Sequence, residues 1–217
     1  MRSSIFLDES ELPPKPAPET GEPRPPHAPF HQDFAKKSEE QLRRERVTDP
    51  AKAPAPPEGH GPLLAWYRAS WKEALKTAAW GLLILPVLVT LTRLSLDWAQ
   101  FWQAWIFVPL TMLAVYSTQR TVVVSAGAEW LKHGKSWVRL YELTDIEVKH
   151  RGNDMHVDLT DDAGRTAKCK LIDLQKDQHL WDLVYNGILH SVIAGGATTT
   201  GMVHSALEVP RRPGSVP

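Results

Sequence analysis

The chain has 217 residues, and its 25 Lys and Arg residues balance its 25 Asp and Glu residues. Zero net charge argues against direct binding of nucleic acid, which normally requires a basic excess or a basic face. Cys169 is the single cysteine, which excludes an internal disulfide framework and a multi-cysteine zinc site.

Residues 1–62 are rich in proline, holding 13 of the 18 prolines and few large aliphatic residues. Such a segment buries too little apolar surface to offset the loss of chain entropy, so we expect a disordered, cytoplasmic Pro-rich arm. Its P-x-x-P spacings have two interpretations: a ligand for polyproline-binding domains, or a semi-rigid spacer. No apolar stretch near Met1 has the length of a signal peptide, so we expect no cleavage there.

Residues 63–120 contain two long uncharged segments, Thr77–Thr92 and Trp98–Gln119. A helix needs about 20 apolar residues to cross a membrane, so the sequence predicts spans at about 75–96 and 98–119. The short connection between them predicts an antiparallel helical hairpin. The alternative is a buried helical hairpin of a soluble protein.

Basic residues flank the two predicted spans on their outer sides, while the connecting loop holds only Arg93. The positive-inside rule then places both termini in the cytoplasm and the protein in the inner membrane. Residues 63–72 mix aromatic and basic residues, as an interfacial juxtamembrane helix does. The predicted membrane-interface anchors are Trp66, Trp71, Lys72, Lys76, Arg93, Trp98, Trp102 and Arg120.

Residues 121–195 change to a period of two. Val157 and Leu159 alternate with polar neighbours, as do Cys169 and Leu171, which predicts half-buried strands of an antiparallel sheet. An amphipathic helix from about Leu174 to Ala194 would close over that sheet. Residues 196–217 are small and polar, and we expect a flexible tail there.

Motifs that carry chemistry are sparse. The sequence has no nucleophile elbow, dinucleotide loop or H-E-x-x-H motif, so we expect no catalytic residue, metal or cofactor. Alternation directs Cys169 inward, which favours a buried apolar role over a reactive thiol.

The order of these elements resembles that of bacterial two-helix membrane proteins with a pleckstrin-homology-like cytoplasmic domain. The likeness rests on residues 120–124, the tryptophans Trp130 and Trp137, residues 140–148 and the closing helix around Trp181. The resemblance implies an α+β fold, with an antiparallel sheet or partly open barrel capped by a C-terminal helix. It also implies binding of lipids, peptides or neighbouring proteins rather than catalysis.

The functional hypothesis is therefore an integral membrane anchor that presents a binding or scaffolding module to the cytoplasm. Lys132, Lys135 and Arg139 form a local basic cluster that could contact lipid headgroups or a partner. The alternative is an accessory subunit of a larger transport or DNA-transfer machine; a membrane-bound enzyme is a third hypothesis. Expected partners are membrane lipids and at least one protein, with a homo-oligomer as a further option.

Overall fold

The computed structural model describes residues 7–29, 53–68, 80, 110, 113, 123–152 and 154–212. The chain divides into two compact units, one formed by Met1–Tyr67 with Val123–Pro217 and the other by Arg68–Val122. The strands and helices with defined bounds lie in the first unit, apart from Arg68 at the end of β1. In the second unit, Trp80, Leu110 and Leu113 are helical and exposed.

Two four-stranded sheets make up most of the first unit. The first has the order β1-β2-β3-β4 and the second the order β7-β6-β5-β8. The strands are β1 (Ala65–Arg68), β2 (Val123–Ala126), β3 (Trp130–His133), β4 (Ser136–Arg139), β5 (Leu143–Arg151), β6 (Asp154–Asp161), β7 (Thr166–Lys170) and β8 (Thr198–Thr199). Three helices follow β7 in the chain: α1 (Leu171–Gln175), α2 (Gln178–Ile193) and α3 (Gly201–Ala206).

Tight antiparallel hairpins set the register of both sheets. Gly134, with a φ of 61°, lies in the two-residue turn between β3 and β4, where a left-handed conformation suits the twist of the strands. Leu131 pairs with Val138 across this hairpin, and both are buried. In the second sheet, Val157 of β6 pairs with Cys169 of β7, and both side chains enter the core.

Helix α2 closes the core over both sheets. Asp177 caps its first turn by accepting a hydrogen bond from the Leu180 N–H at 2.9 Å. Leu180, Val184 and Ile188 are fully buried. Burial continues around almost the whole helix from residue 180 to residue 193, which means that other chain segments cover the face turned away from the sheets.

The two Pro-rich stretches provide part of that cover, which corrects the predicted disordered arm. We call residues 7–29 the first arm and residues 53–64 the second arm. The first arm contains a short 3-10 helix at Glu9–Glu11, and the rest of both arms lies in extended or turn conformations. Pro16, Ala28 and Pro57 are buried. Proline already restricts the free chain to extended conformations, so docking costs less conformational entropy than it would for a chain of other residues. Residues 30–52 lie outside the described residues.

The sheets also differ from the predicted antiparallel, pleckstrin-like module. Strand β1 occupies residues that were predicted as an interfacial helix, and it joins the edge of the first sheet. Strand β8 pairs parallel with β5, aligning Ile146 with Thr199. Both strands pair with strands that are distant in the sequence. The alternation of residues within a segment does not identify such partners.

The residues predicted as a flexible tail contain β8 and α3. Val203, Leu207 and Val209 are buried there, and the Tyr185 hydroxyl of α2 donates to the Glu208 carbonyl at 3.2 Å. These three apolar side chains supply the surface that holds the segment in place.

The predicted membrane helical hairpin is also corrected. No helix within the described residues is long and apolar enough to cross a membrane. The spans at about 75–96 and 98–119 lie outside the described residues except for Trp80, Leu110 and Leu113. An uncharged run indicates only that a segment is apolar, and it does not identify what covers the segment. The inner-membrane location was predicted from these spans and is therefore not supported by the structure.

Candidate functional site

A row of polar side chains follows one face of α2 and holds the first arm. The row consists of Gln178, Asp182, Asn186 and His190, which are spaced four residues apart and therefore lie one above the other. We call these four residues the polar stripe. Asp182, Asn186 and His190 are each less than a tenth exposed, so their polar groups need partners within the protein.

The amino-terminal end of the stripe binds residues 27–29 of the first arm. One oxygen of Asp182 accepts the Ala28 N–H at 2.8 Å, and the other lies 3.0 Å from Nδ1 of His27. The indole Nε1 of Trp181 donates to the Pro29 carbonyl at 2.8 Å. Gln178 also donates to Asp182, which fixes the carboxylate in place.

The carboxy-terminal end of the stripe binds residues 13 and 14. His190 Nε2 lies 2.7 Å from the Pro13 carbonyl, and Asn186 Nδ2 lies 3.4 Å from the Pro14 carbonyl. A carbonyl oxygen only accepts, so Nε2 of His190 carries the proton in this contact. Burial lowers the pKa of His190, an effect that nearby Lys15 reinforces and the bond to Pro13 opposes.

Tyr141 completes this end of the site. Its hydroxyl lies 3.0 Å from Asn186 Nδ2, its ring meets the His190 ring edge-on, and Lys15 Nζ lies 5.0 Å above the ring centre. Burial raises the pKa of this hydroxyl. It therefore remains neutral over the physiological range, as a hydrogen-bonding group in a dry contact should.

The first arm runs opposite to α2 and folds back on itself between its two contacts. Asp182 and His190 are eight residues apart, or about 12 Å along a helix, whereas an extended chain from Pro14 to Ala28 would span about 43 Å. A turn absorbs the excess: Ala17 N–H donates to the Glu22 carbonyl and Gly21 N–H to the Ala17 carbonyl, both at 2.8 Å. A cavity of about 500 Å³ remains between residues 20–27 of the arm and the start of α2.

The second arm is held on the first sheet by similar contacts. Trp130 Nε1 donates to the Gly61 carbonyl at 3.1 Å, and the Leu64 N–H donates to the Ala126 carbonyl at 3.0 Å. The Trp137 ring lies between His60, with ring centres 4.5 Å apart, and the Arg165 guanidinium, 3.7 Å from the ring centre. In both arms, an indole N–H binds a main-chain carbonyl of extended chain.

The three residues of the basic cluster predicted from the sequence lie on β3, on β4 and in the turn between them. Lys132 Nζ donates to the Ala55 carbonyl of the second arm at 2.9 Å. Arg139 forms an ion pair with Glu142 at 2.7 Å. Lys135 lies exposed in the β3–β4 turn. Two of the three cations are therefore engaged within the protein.

Of the predicted membrane-interface anchors, only Trp66 is among the described residues. It is half-buried in β1. The other seven, Trp71, Lys72, Lys76, Arg93, Trp98, Trp102 and Arg120, lie outside the described residues.

Cys169 is almost fully buried, and burial, with nearby Asp173 and Asp158, raises the pKa of its thiol to about 12. A thiol with that pKa is not a nucleophile at neutral pH. Over the part of the chain that the structure describes, no three His, Cys, Asp or Glu side chains converge as a metal site requires.

The polar stripe was not recognised in the sequence. Polar residues four apart on a helix normally indicate its solvated face, so Asp182 and Asn186 gave no distinct signal. The composition of the helix does indicate that this face is covered. Apolar residues also occur between the polar ones, so the helix has no wide solvated face.

Comparisons with protein-family models, with curated proteins and with solved structures find no match for this chain.

Proposed function

We propose that this protein is a non-catalytic binding module that holds extended, proline-rich chain along the polar stripe of α2. The observation that carries the proposal is the main-chain contact of the first arm. Trp181, Asn186 and His190 point N–H groups at three of its carbonyls, and Asp182 accepts the N–H of Ala28. Pro-rich segments are well suited to such binding because their extended conformation is largely pre-formed.

The second arm supports the same proposal from another surface. Trp130 binds a carbonyl next to a proline, as Trp181 binds the carbonyl of a proline. Tryptophan suits this role because it combines a large apolar surface with a single donor.

Binding of a synthetic peptide with the sequence of residues 7–29 tests the proposal. The first arm competes at a high effective concentration, so the full chain should carry Ala28→Asp, which buries a carboxylate beside Asp182 and loosens the arm. We expect the labelled peptide to bind this chain, with a Kd measurable by fluorescence anisotropy. Adding His190→Ala should weaken binding about 3- to 10-fold, since one hydrogen bond is lost.

His204→Ala in the same background is the matched control. Like His190, His204 forms a hydrogen bond with a main-chain carbonyl, that of Val209. It lies on α3, however, and none of its hydrogen bonds in the described structure joins it to either arm. Its loss should leave peptide affinity unchanged. If the peptide does not bind, or if the two histidine substitutions have equal effects, the proposed function is wrong.

A further inference from the structure

Asp182 is a buried carboxylate with little positive charge around it. Its side chain is 5% exposed, and its Oδ1 accepts hydrogen bonds from the Ala28 N–H and the Gln178 amide. Both of these donors are neutral. Among the described residues, only His27 lies within ion-pair distance of Asp182, at Oδ2. Burial removes a carboxylate from water, and a cation beside it offsets that cost.

His27 satisfies this carboxylate incompletely. Its side chain is 82% exposed and contacts Asp182 through one nitrogen, Nδ1, at 3.0 Å. An imidazole directs one N–H at a carboxylate and is charged only when both of its nitrogens are protonated. A guanidinium carries five N–H donors and keeps its charge at every physiological pH. Arginine is therefore the better partner for a buried carboxylate in this position.

The cavity beside the first arm provides room for that larger side chain. Its volume is about 500 Å³, more than an arginine side chain fills, and both His27 and Asp182 line it. The main chain after residue 27 is held separately, since Asp182 accepts the Ala28 N–H and Trp181 donates to the Pro29 carbonyl. A different side chain at residue 27 can thus enter the cavity while these main-chain contacts stay in place.

The first arm does have an arginine at this cavity, but at another position. Arg24 lines the cavity and pairs with Glu22 of the arm, with 3.4 Å between Arg24 Nε and Glu22 Oε1. Its charge is therefore balanced within the arm. Residue 27 differs from residue 24 because it directly precedes Ala28, whose N–H the buried carboxylate accepts.

We propose that the polar stripe prefers a proline-rich segment of a partner protein that carries arginine where the first arm has His27. The guanidinium lies in the cavity and pairs with Asp182 Oδ2, while Oδ1 accepts the N–H of the following residue, as it does in the first arm. This inference rests on the proposed function and adds the chemistry of the partner. Complementarity between a permanent cation and a buried carboxylate is the basis of the preference.

Three synthetic peptides test this preference against one protein. The peptides carry the sequence of residues 7–29 unchanged, with His27→Arg, or with Ala17→Arg. Ala17 is the matched control because it is exposed and does not line the cavity, so arginine there adds a charge away from Asp182. With the full chain carrying Ala28→Asp, at neutral pH, we expect the His27→Arg peptide to bind about 3- to 10-fold more tightly than the unchanged peptide. The Ala17→Arg peptide should show no such gain.

Asp182→Asn assigns the gain to the proposed contact. In a chain that carries this substitution as well, the His27→Arg peptide should lose its advantage over the unchanged peptide, as a double-mutant cycle requires for a direct interaction. The first comparison does not depend on this variant, because all three peptides meet the same protein there.

The outcomes separate this inference from the proposed function. If the unchanged peptide binds and His27→Arg brings no more than Ala17→Arg, the preference for arginine is wrong while the binding module stands. If the gain persists in the Asp182→Asn chain, the assigned contact is wrong. If none of the peptides binds, the proposed function fails and this inference with it.

Discussion

His190 links arm binding to pH, because it binds the arm only through a buried N–H. Burial lowers its pKa below the ordinary value of 6.5, and the neighbouring Lys15 of the first arm acts in the same direction. The bound state therefore disfavours the protonated imidazole. By linkage, the stabilisation is fully present above pH 6.5 and is lost as the pH falls through the lowered pKa.

His190→Gln should reduce this pH dependence. We expect the affinity of the peptide of residues 7–29 for the Ala28→Asp chain to be constant above about pH 7 and to fall towards pH 5. With glutamine at position 190, which keeps a donor but does not titrate, the decline should be smaller. Fluorescence anisotropy across this range measures both proteins with the same peptide. Identical pH profiles would exclude His190 as the titrating group.

Residue-scale properties were only partly visible in the sequence. The inward position of Cys169 followed from alternation, and the structure has this side chain in the core. The role of Asn186 could not be predicted, because its partners, Tyr141 and Pro14, are distant in sequence. Only the fold brings such groups together.

At the scale of elements, α2 closely approaches the connection between β4 and β5. An added Cβ at Gly187 would lie 2.5 Å from the Cβ of Leu140 and 2.8 Å from its carbonyl oxygen. The Ser191 hydroxyl, one turn further along the helix, donates to the same carbonyl at 3.0 Å. Glycine at position 187 is thus required for the helix to reach its place on the core.

Gly187→Ala should destabilise the protein by about 1–3 kcal/mol, because the helix or the backbone at Leu140 must shift. Urea unfolding followed by circular dichroism measures the change. Gly201→Ala is the matched control, since a Cβ there meets nothing within 4 Å. Equal stability of the two variants would mean that α2 can move away without cost.

Strands with clear alternation were predicted from the sequence, and short strands at sheet edges were not. The alternating residues around Val157 and Cys169 lie in β6 and β7. Strand β1 lies among residues whose mix of aromatic and basic side chains predicted an interfacial helix, and β8 has two residues, too few for a period to be recognised. Whether these residues form strands depends on the strands with which they pair, which is a tertiary effect.

At the scale of the whole molecule, the first arm and the C-terminal segment both lie on α2. Composition predicted disorder for the first arm because large apolar residues are few there. The arm is nevertheless docked, since its binding relies on main-chain carbonyls and needs few apolar side chains. A prediction of disorder from composition considers only side chains, so it does not include hydrogen bonds to main-chain carbonyls.

Ala28→Asp should release the first arm from the full chain. The substitution buries a second carboxylate next to Asp182, and each 1.4 kcal/mol of lost docking energy raises the released fraction about tenfold. Cleavage after Glu11 and Glu19 by a glutamate-specific protease should therefore be at least about tenfold faster, since the rate follows the open population. Arg24→Ala, an exposed change in the same arm, should leave the rate unaltered. An unchanged rate in Ala28→Asp would show that the contact with Asp182 does not hold the arm.

The position of α2 near the end of the described chain has a consequence for the newly made protein. A ribosome adds about 5–20 residues per second, so the first arm emerges roughly ten seconds or more before α2 is complete. The helix also needs residues 203–209, which follow it, to bury its remaining surface. During synthesis the arm thus has no docking site on its own chain. The arm can therefore dock only once synthesis has passed residue 209.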